Sequence, residues 1–471
     1  LEFRRVLFRS LGSCQIISKF RNKGKGNSID PSQITFIQKN ESGKVESQTQ
    51  LPENIIKSIN ISSESKKIVM LTSMAGHTLG DASAASKFMK ELQQSDFEFY
   101  WIIQKSDRRF NYPDLIPDNV ALIVVSNWEI IKQKPFKPFL EEMNYKIAFP
   151  TFHYLTEDQT EFLSSLEGKY VRITEYDFME DLSTPYDVIT LKTGFCKTCL
   201  GIMQKKIETN LPSGKLGDLY DILKKNGKEF YFGYFNKWEE NEYSGSYSNL
   251  VNFVTLVILM EAIKPRSNKP TYILTTASDS SPLNHISKIY QKISKSLNSD
   301  ELDPKIREKL KKLKIRFSSG INIHQSKSSI NEELGSQTAD PFLFHIINPF
   351  PLPPTDLPFF LKNSSFLTGL TGDQSLSEGI QLDKLIYYQV MDWKKDLAIN
   401  FALETKNRQN LLFDFYKTFT EKNDMSVNEL YDIASFIHKN ENKLREEAIS
   451  FRKHVEKSKN AMINIRKYLK I

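Results

Sequence analysis

At 471 residues the chain is too long for one ordinary hydrophobic core, so it calls for two domains. Its hydrophobic content of 39% and aromatic content of 12% fill both and exclude a chain disordered throughout. The formal charge of +7, from 64 Lys+Arg against 57 Asp+Glu, is scattered, with modest clustering at 305–314 and at the C-terminus; it suits an anionic ligand and gives no ground for a nucleic-acid partner.

Three cysteines give no disulfide framework, which predicts a reducing compartment, the cytoplasm, with export as an effector left open. The longest apolar stretch, Phe253 to Met260, is too short for a membrane span. Residues 1–10 read like translated cloning or adapter sequence and are set aside from fold reasoning. Residues 22–65 are rich in Ser, Asn, Gln, Lys and Glu, so 1–65 is expected to be an artefactual start followed by a mostly disordered segment.

Order is expected from Lys67 to Thr72, a continuous apolar run suited to a central parallel strand. Ala75-Gly76-His77-Thr78-Leu79-Gly80-Asp81 then forms a glycine loop leading into a helix with Phe88, Met89 and Leu92 on one face. Further strands are predicted at 97–103, 120–125, 146–149 and 170–174, with a helix over 157–166. This alternation predicts a doubly wound parallel sheet over 66–204.

A polar, glycine-bearing stretch over 205–228 reads as a linker with a short helix of its own. Strands at 230–235, 271–276, 315–317, 343–347, 366–370 and 385–388, with helices over 249–263 and 283–297, form a second such domain over 229–424. Ser426-x-x-Glu429 caps the helices of 425–471, which are expected to pack on the body. The fold class is therefore α/β: two Rossmann-like domains facing across a cleft.

The most informative stretch is Leu367-Thr368-Gly369-Leu370-Thr371-Gly372-Asp373-Gln374-Ser375, followed by Glu378. A strand that turns at glycine into a helix presents free N–H groups at the sheet's carboxyl edge, where phosphate is favoured. Ser375-x-x-Glu378 is also a capping-box pattern, and so is Thr78-x-x-Asp81. His77 and Asp81 suit a base and the partner that orients it. Tyr234 and Phe235, at a strand end, either stack on a nucleobase or close the core.

The glycine loop lacks GxGxxG spacing, and no Walker sequence occurs, so a nicotinamide cofactor is unsupported. No Asp-x-Asp pair is present to hold a divalent cation, which favours a metal-independent reaction. Cys196-x-x-Cys199 has no second ligand pair and reads as two small apolar residues rather than a zinc site.

With both loops in view, the chain resembles GT-B glycosyltransferases, and most closely the protein-arginine rhamnosyltransferases that use a dTDP-sugar. The likeness is densest from Pro349 to Phe401, through Leu352-Pro353-Pro354-Thr355-Asp356-Leu357, the Gly372-Asp373-Gln374-Ser375 turn and Lys384-Leu385-Ile386-Tyr387. The resemblance implies a required carboxylate at Asp373, a diphosphate contact at Ser375 and a catalytic candidacy for Asp81. His77 stands where the family has an aspartate base, and Thr371 where it has a phosphate-binding arginine.

The activity implied is sugar transfer from a nucleotide-sugar donor to a protein or small-molecule acceptor, with the nucleotide-sugar as co-substrate and no further cofactor. Catalytic candidates are His77, Asp81 and Asp373; donor-binding candidates are Tyr234, Phe235, Thr355, Thr371, Gln374, Ser375 and Glu378. A sugar-nucleotide epimerase of the same form, or a non-catalytic partner-binding protein, are the alternatives.

Overall fold

The computed structural model describes residues 34–39, 45–48, 66–73, 80–92, 97–105, 115–118, 120–133, 136–149, 156–177, 188–204, 207, 209–225, 229–235, 246–264, 269–276, 282–297, 302–318, 340, 342–350, 352–353, 356–391, 394–406, 410–420 and 425–470. Fourteen strands among them form two sheets flanked by helices.

The first sheet takes β1 (Ile34–Lys39), β2 (Val45–Gln48), β3 (Lys66–Ser73), β4 (Phe97–Gln104), β5 (Val120–Val125), β6 (Tyr145–Ala148), β7 (Lys169–Tyr176) and β8 (Ile189–Thr193) in the order β2-β1-β5-β4-β3-β6-β7-β8. From β5 to β8 all neighbours pair in parallel. Successive residues of β3 alternate between two buried clusters, Ile68 and Met70 on one face and Val69 and Leu71 on the other. Burial on both faces is why this strand is apolar without interruption.

Two features depart from expectation. Within the segment expected to be disordered, residues 34–39 and 45–48 form strands: β1 pairs antiparallel with β2 and with β5, and Ile37 enters the core. Edge pairing to an already ordered strand offsets the ordering cost that the local composition alone does not cover. The strand β8, Ile-Thr-Leu-Lys-Thr, was also absent from the expected elements; it is short and only half buried.

The second sheet runs β11-β12-β10-β9-β13-β14, built from β9 (Phe230–Gly233), β10 (Thr271–Thr275), β11 (Lys314–Ser318), β12 (Leu343–Ile347), β13 (Leu367–Leu370) and β14 (Leu385–Tyr388), all parallel. The helix Ser246–Ile263, apolar nearly all round, lies between this sheet and the 32-residue helix Val427–Ser458. Within the stretch read as a linker, the helix Gly214–Lys225 sends Leu219, Ile222 and Leu223 into the second domain's core. The expected cap of the long helix forms in both directions, Glu429 N to Ser426 Oγ at 3.2 Å and Ser426 N to Glu429 Oε2 at 2.8 Å.

Each sheet has a switch point. The chain leaves β3 for β4 and β5 on one side and later adds β6, β7 and β8 on the other; it leaves β9 for β10 on one side and later adds β13 and β14 on the other. Crevices for ligands open at the carboxyl ends of strands at such points. His77 follows β3 and lies outside the described residues, and the turn at Gly372 follows β13.

The chain crosses between domains twice, and the crossings bond to one another: Ile202 N donates to Lys459 O at 2.8 Å and Ala461 N to Ile202 O at 2.9 Å. Gly201, at φ +105°, lets the two backbones meet, since a Cβ there would lie 1.9 Å from the Lys459 carbonyl oxygen. Past this point the helix Ala461–Leu469 returns to the first domain, burying Ala461, Met462, Ile465 and Leu469 in its core. Ile465→Ala is therefore expected to lower the stability of the first domain by about 3 kcal/mol, measured by urea denaturation. A loss below about 1 kcal/mol would mean that the helix is not a working part of that core.

Candidate functional site

The carboxyl edges of the two sheets meet where β7 ends. Its pairing to β8 slips between Ile173 and Tyr176, so one extra residue bulges, and Thr174 Oγ1 accepts from Thr193 N at 3.1 Å to satisfy the interrupted ladder. A bulge re-aims the residues that follow it. Asp177 then ends the strand at φ 51°, a left-handed conformation that aspartate tolerates.

Three consecutive residues, Glu175, Tyr176 and Asp177, all reach the second domain. Lys394 Nζ lies 2.9 Å from Glu175 Oε2 and 2.8 Å from Asp373 Oδ1. Tyr176 N donates to Asp373 Oδ2 at 3.0 Å, and the Tyr176 hydroxyl meets Ser377 Oγ at 2.8 Å. Asn400 Nδ2 donates to Asp177 Oδ1 at 3.1 Å. A fourth contact joins the helices after the two switch-point loops, Lys87 Nζ to Glu378 Oε1 at 3.1 Å.

Burial works against the charge of Lys394, yet Asp373 and Glu175 hold its ammonium well above the ordinary lysine range. Burial raises the Asp373 carboxyl, with Lys394 pulling the other way. At 2.8 Å, with the second oxygen accepting from Tyr176 N, the pair is ionic, and neither member can be removed without stranding the other.

The turn at Gly372 opens the helix Asp373–Gln381. Gly372 is its N-cap residue at φ 81° and ψ 160°, a region essentially reserved for glycine, and makes no side-chain cap bond. Among the described residues, a Cβ built there would meet no atom within 4 Å, so none of them crowds this helix end. The capping box expected as an alternative at Ser375 and Glu378 does not form. Ser375 instead turns its hydroxyl back on its own helix, donating to the carbonyls of Thr371 and Gly372. The hydroxyl expected to meet a diphosphate is thus engaged within its own helix.

Glu378 is buried, with Oε1 taken by Lys87 and by Gln374 Nε2 at 2.8 Å, while Oε2 has no hydrogen-bond partner among the described residues. Tyr234 stacks on Phe350 with centroids 5.4 Å apart, and its N donates to Gly369 O at 2.8 Å. Phe235 takes the second of its two expected roles. Its ring fills the space left by Gly369, where a Cβ would lie 2.3 Å away, and meets Phe253 and Tyr387 edge-on, so it closes the core and offers no face to a base.

Thr371 is buried beside the turn. Thr355 and His77 lie outside the described residues; Asp81 is the second residue of the helix Gly80–Leu92, and its side chain is not among those described. Lys394 and the β7 end were not anticipated. Lys394 stands in a single 3-10 turn directly ahead of the helix Lys395–Lys406, with no pattern to mark it, and Glu175-Tyr176-Asp177 reads as any strand end.

The cysteines also depart from expectation, since Cys196 and Cys199 are joined in a disulfide. Asp177 is the anchor of that turn, accepting from Phe195 N at 2.8 Å and Cys196 N at 2.6 Å, with Cys199 Sγ at 3.8 Å. Among the described residues this is a cluster of three potential metal ligands, with ligand atoms within 4.8 Å of one another. Burial pushes the Asp177 carboxyl up to about 6, against the hydrogen bonds that favour its charge.

Two outcomes follow. Lys394→Met leaves Glu175 and Asp373 without a counter-charge and is expected to cost roughly 3–5 kcal/mol, part of it recovered by adding Asp373→Asn. Equal losses in the single and double variants, by denaturant unfolding, would show that the pair is not coupled. Asp177 holds its proton more tightly folded than unfolded, so its contribution is fully present below about 3.8 and is lost as pH rises through about 6. Relative to Asp177→Asn, the protein is expected to lose about 3 kcal/mol between those limits, and parallel stability profiles would refute the assignment.

No protein-family model matches the chain, and no curated protein matches it in sequence. Solved structures with a similar course of chain include Anabaena HepE in complex with UDP and glucose, at 9% identity and TM-score 0.44 over 86% of this chain and 98% of that one. Acinetobacter baumannii MurG, at 12% and 0.43, spans 86% and 99%, and the S. aureus MnaA–UDP co-structure, at 11% and 0.43, spans 86% and 97%. Likenesses at this level concern the outline of the fold. Among the described residues no helix is long and apolar enough to cross a membrane.

Proposed function

We propose that the chain is a glycosyltransferase of the GT-B type, taking a sugar from a nucleotide-sugar donor whose diphosphate sits on the N–H groups opening the helix Asp373–Gln381. The observation that carries this reading is Gly372: a glycine-only conformation uncrowded by any described residue, at a switch point, ahead of a helix with no side-chain cap. Unsatisfied N–H groups and the positive end of the helix dipole favour an anion there.

In this reading the developing charge on the leaving diphosphate is stabilised by backbone donors, so the step runs without a divalent metal. Glu378 Oε2, buried and unpartnered among the described residues, accepts from a ribose hydroxyl. Tyr234, Thr355 and Thr371 complete the donor-binding set. His77 removes the proton from the acceptor hydroxyl, oriented by Asp81. Because both oxygens of Asp373 are engaged, we assign it to positioning Lys394 and the β7 end rather than to the sugar.

The test is a panel of UDP-, GDP-, dTDP- and CMP-sugars scored by thermal unfolding. A donor at 100 times its Kd is expected to add about 2.7 kcal/mol. The shift is expected to vanish in Gly372→Ala, whose ligand-free melting is recorded alongside, and to persist in Ser375→Ala. His77→Ala is expected to keep the shift and lose transfer by roughly 10²–10⁴-fold. Absence of a shift with every donor, from folded protein, would favour the binding-protein alternative.

A further inference from the structure

We propose that Cys196 and Cys199 are a reversible dithiol–disulfide couple that sets how firmly the two domains are held at their crossing, the disulfide form holding them more tightly. This stands apart from what the cleft binds. The turn carrying the pair is closed at its base by Gly194 N to Gly201 O at 2.8 Å, and contacts from it lead to the crossing. Cys196 O accepts from Lys459 Nζ at 3.3 Å. The Phe195 ring packs on Phe401 and Phe451, with centroids 5.4 and 6.1 Å apart, on two helices of the second domain.

The couple reaches the inter-domain ion pairs through Asp177. The N–H groups of Phe195 and Cys196 hold that carboxylate, and the residues before it, Tyr176 and Glu175, contact Asp373 and Lys394. Opening the disulfide separates the two sulfurs, widens the turn and draws those N–H groups away from Asp177. Gly194 leaves no slack, since a Cβ there would lie 2.5 Å from Asp177 N. Cys196 and Cys199 are buried, at 7% and 8% exposure, but the two residues between them, Lys197 and Thr198, are exposed, so opening of this tip is what admits a reductant.

A dithiol reductant balances the reaction. Its first thiolate attacks Cys196 Sγ, the bond to Cys199 breaks, and Cys199 leaves with the electron pair. Each released thiolate takes up, through solvent, one of the two protons that the reductant's thiols give up. The second thiolate then displaces Cys196, so two electrons and two protons pass to the protein and the reductant leaves as its own disulfide. A metal competes poorly with this chemistry, because Asp177 already accepts three N–H donors.

The experiment takes the full chain, folded and without denaturant, through a dithiothreitol series, with alkylation mapped to the peptide carrying both cysteines and hydrogen exchange read at residues 172–177 and 395–406. Reduction is expected to expose two alkylatable thiols, to raise exchange at those residues about tenfold, as for the loss of a net backbone hydrogen bond, and to reverse with oxidised glutathione. Cys196→Ser and Cys199→Ser are expected to match the reduced protein and ignore reductant. Thiols that stay reduced in oxidised glutathione, stoichiometric zinc in the purified protein, or exchange that is unchanged on reduction would each overturn the proposal.

Discussion

The relation between the two domains rests on one buried ammonium. Lys394 is shared between a carboxylate of the first domain, Glu175, and one of the second, Asp373. Charges removed from water are tolerated only in company, so this three-membered group specifies a single apposition more sharply than apolar contact alone would. The bulge in β7 and the left-handed Asp177 are the backbone devices that deliver Glu175 and the Tyr176 N–H to it.

A second constraint works behind the ion pairs, where the chain crosses twice. Gly194 and Gly201 allow approaches that no side chain would permit, one against Asp177 and the other against Lys459. The C-terminal helix then completes the first domain's core, and Tyr145 Oη donates to Leu469 O at 2.6 Å to fix its end. A domain finished by a helix that follows the whole second domain in the chain cannot be treated as a unit independent of it.

Much of the architecture was legible because parallel strands buried on both faces must be continuous apolar runs. This holds for β3, β5, β12 and β14, whose observed bounds lie within a residue of expectation. The strands β1 and β2 are not legible in the sequence because their order comes from pairing, β1 to β5 and β2 to β1, a tertiary effect that composition does not record. At the site, the turn at Gly372 was legible as strand, glycine and helix. The fate of each side chain was not: Ser375 satisfies its own helix, Phe235 fills the gap beside Gly369, and Cys196 and Cys199 bond each other. Local patterns name the residue types available, whereas partners hundreds of positions away decide which of them face a ligand.

The same helix end serves both the ion pairs and the open turn, and charge counting shows how it can. Glu175, Asp373 and Glu378 contribute three negative charges against the two ammonium groups of Lys87 and Lys394, so these side chains offer an anion no net attraction. Asp373, at the first helical position, already interacts favourably with the dipole from the side of the β7 strand. What remains for a ligand is the row of N–H groups at Gly372. Backbone donors in fixed positions reward a ligand for where its oxygens lie rather than for total charge, and they require no reorganisation when charge develops. A site built this way should distinguish a bridged diphosphate from a free phosphate by geometry, and its strength should depend on the conformation of one glycine more than on any lysine or arginine near it.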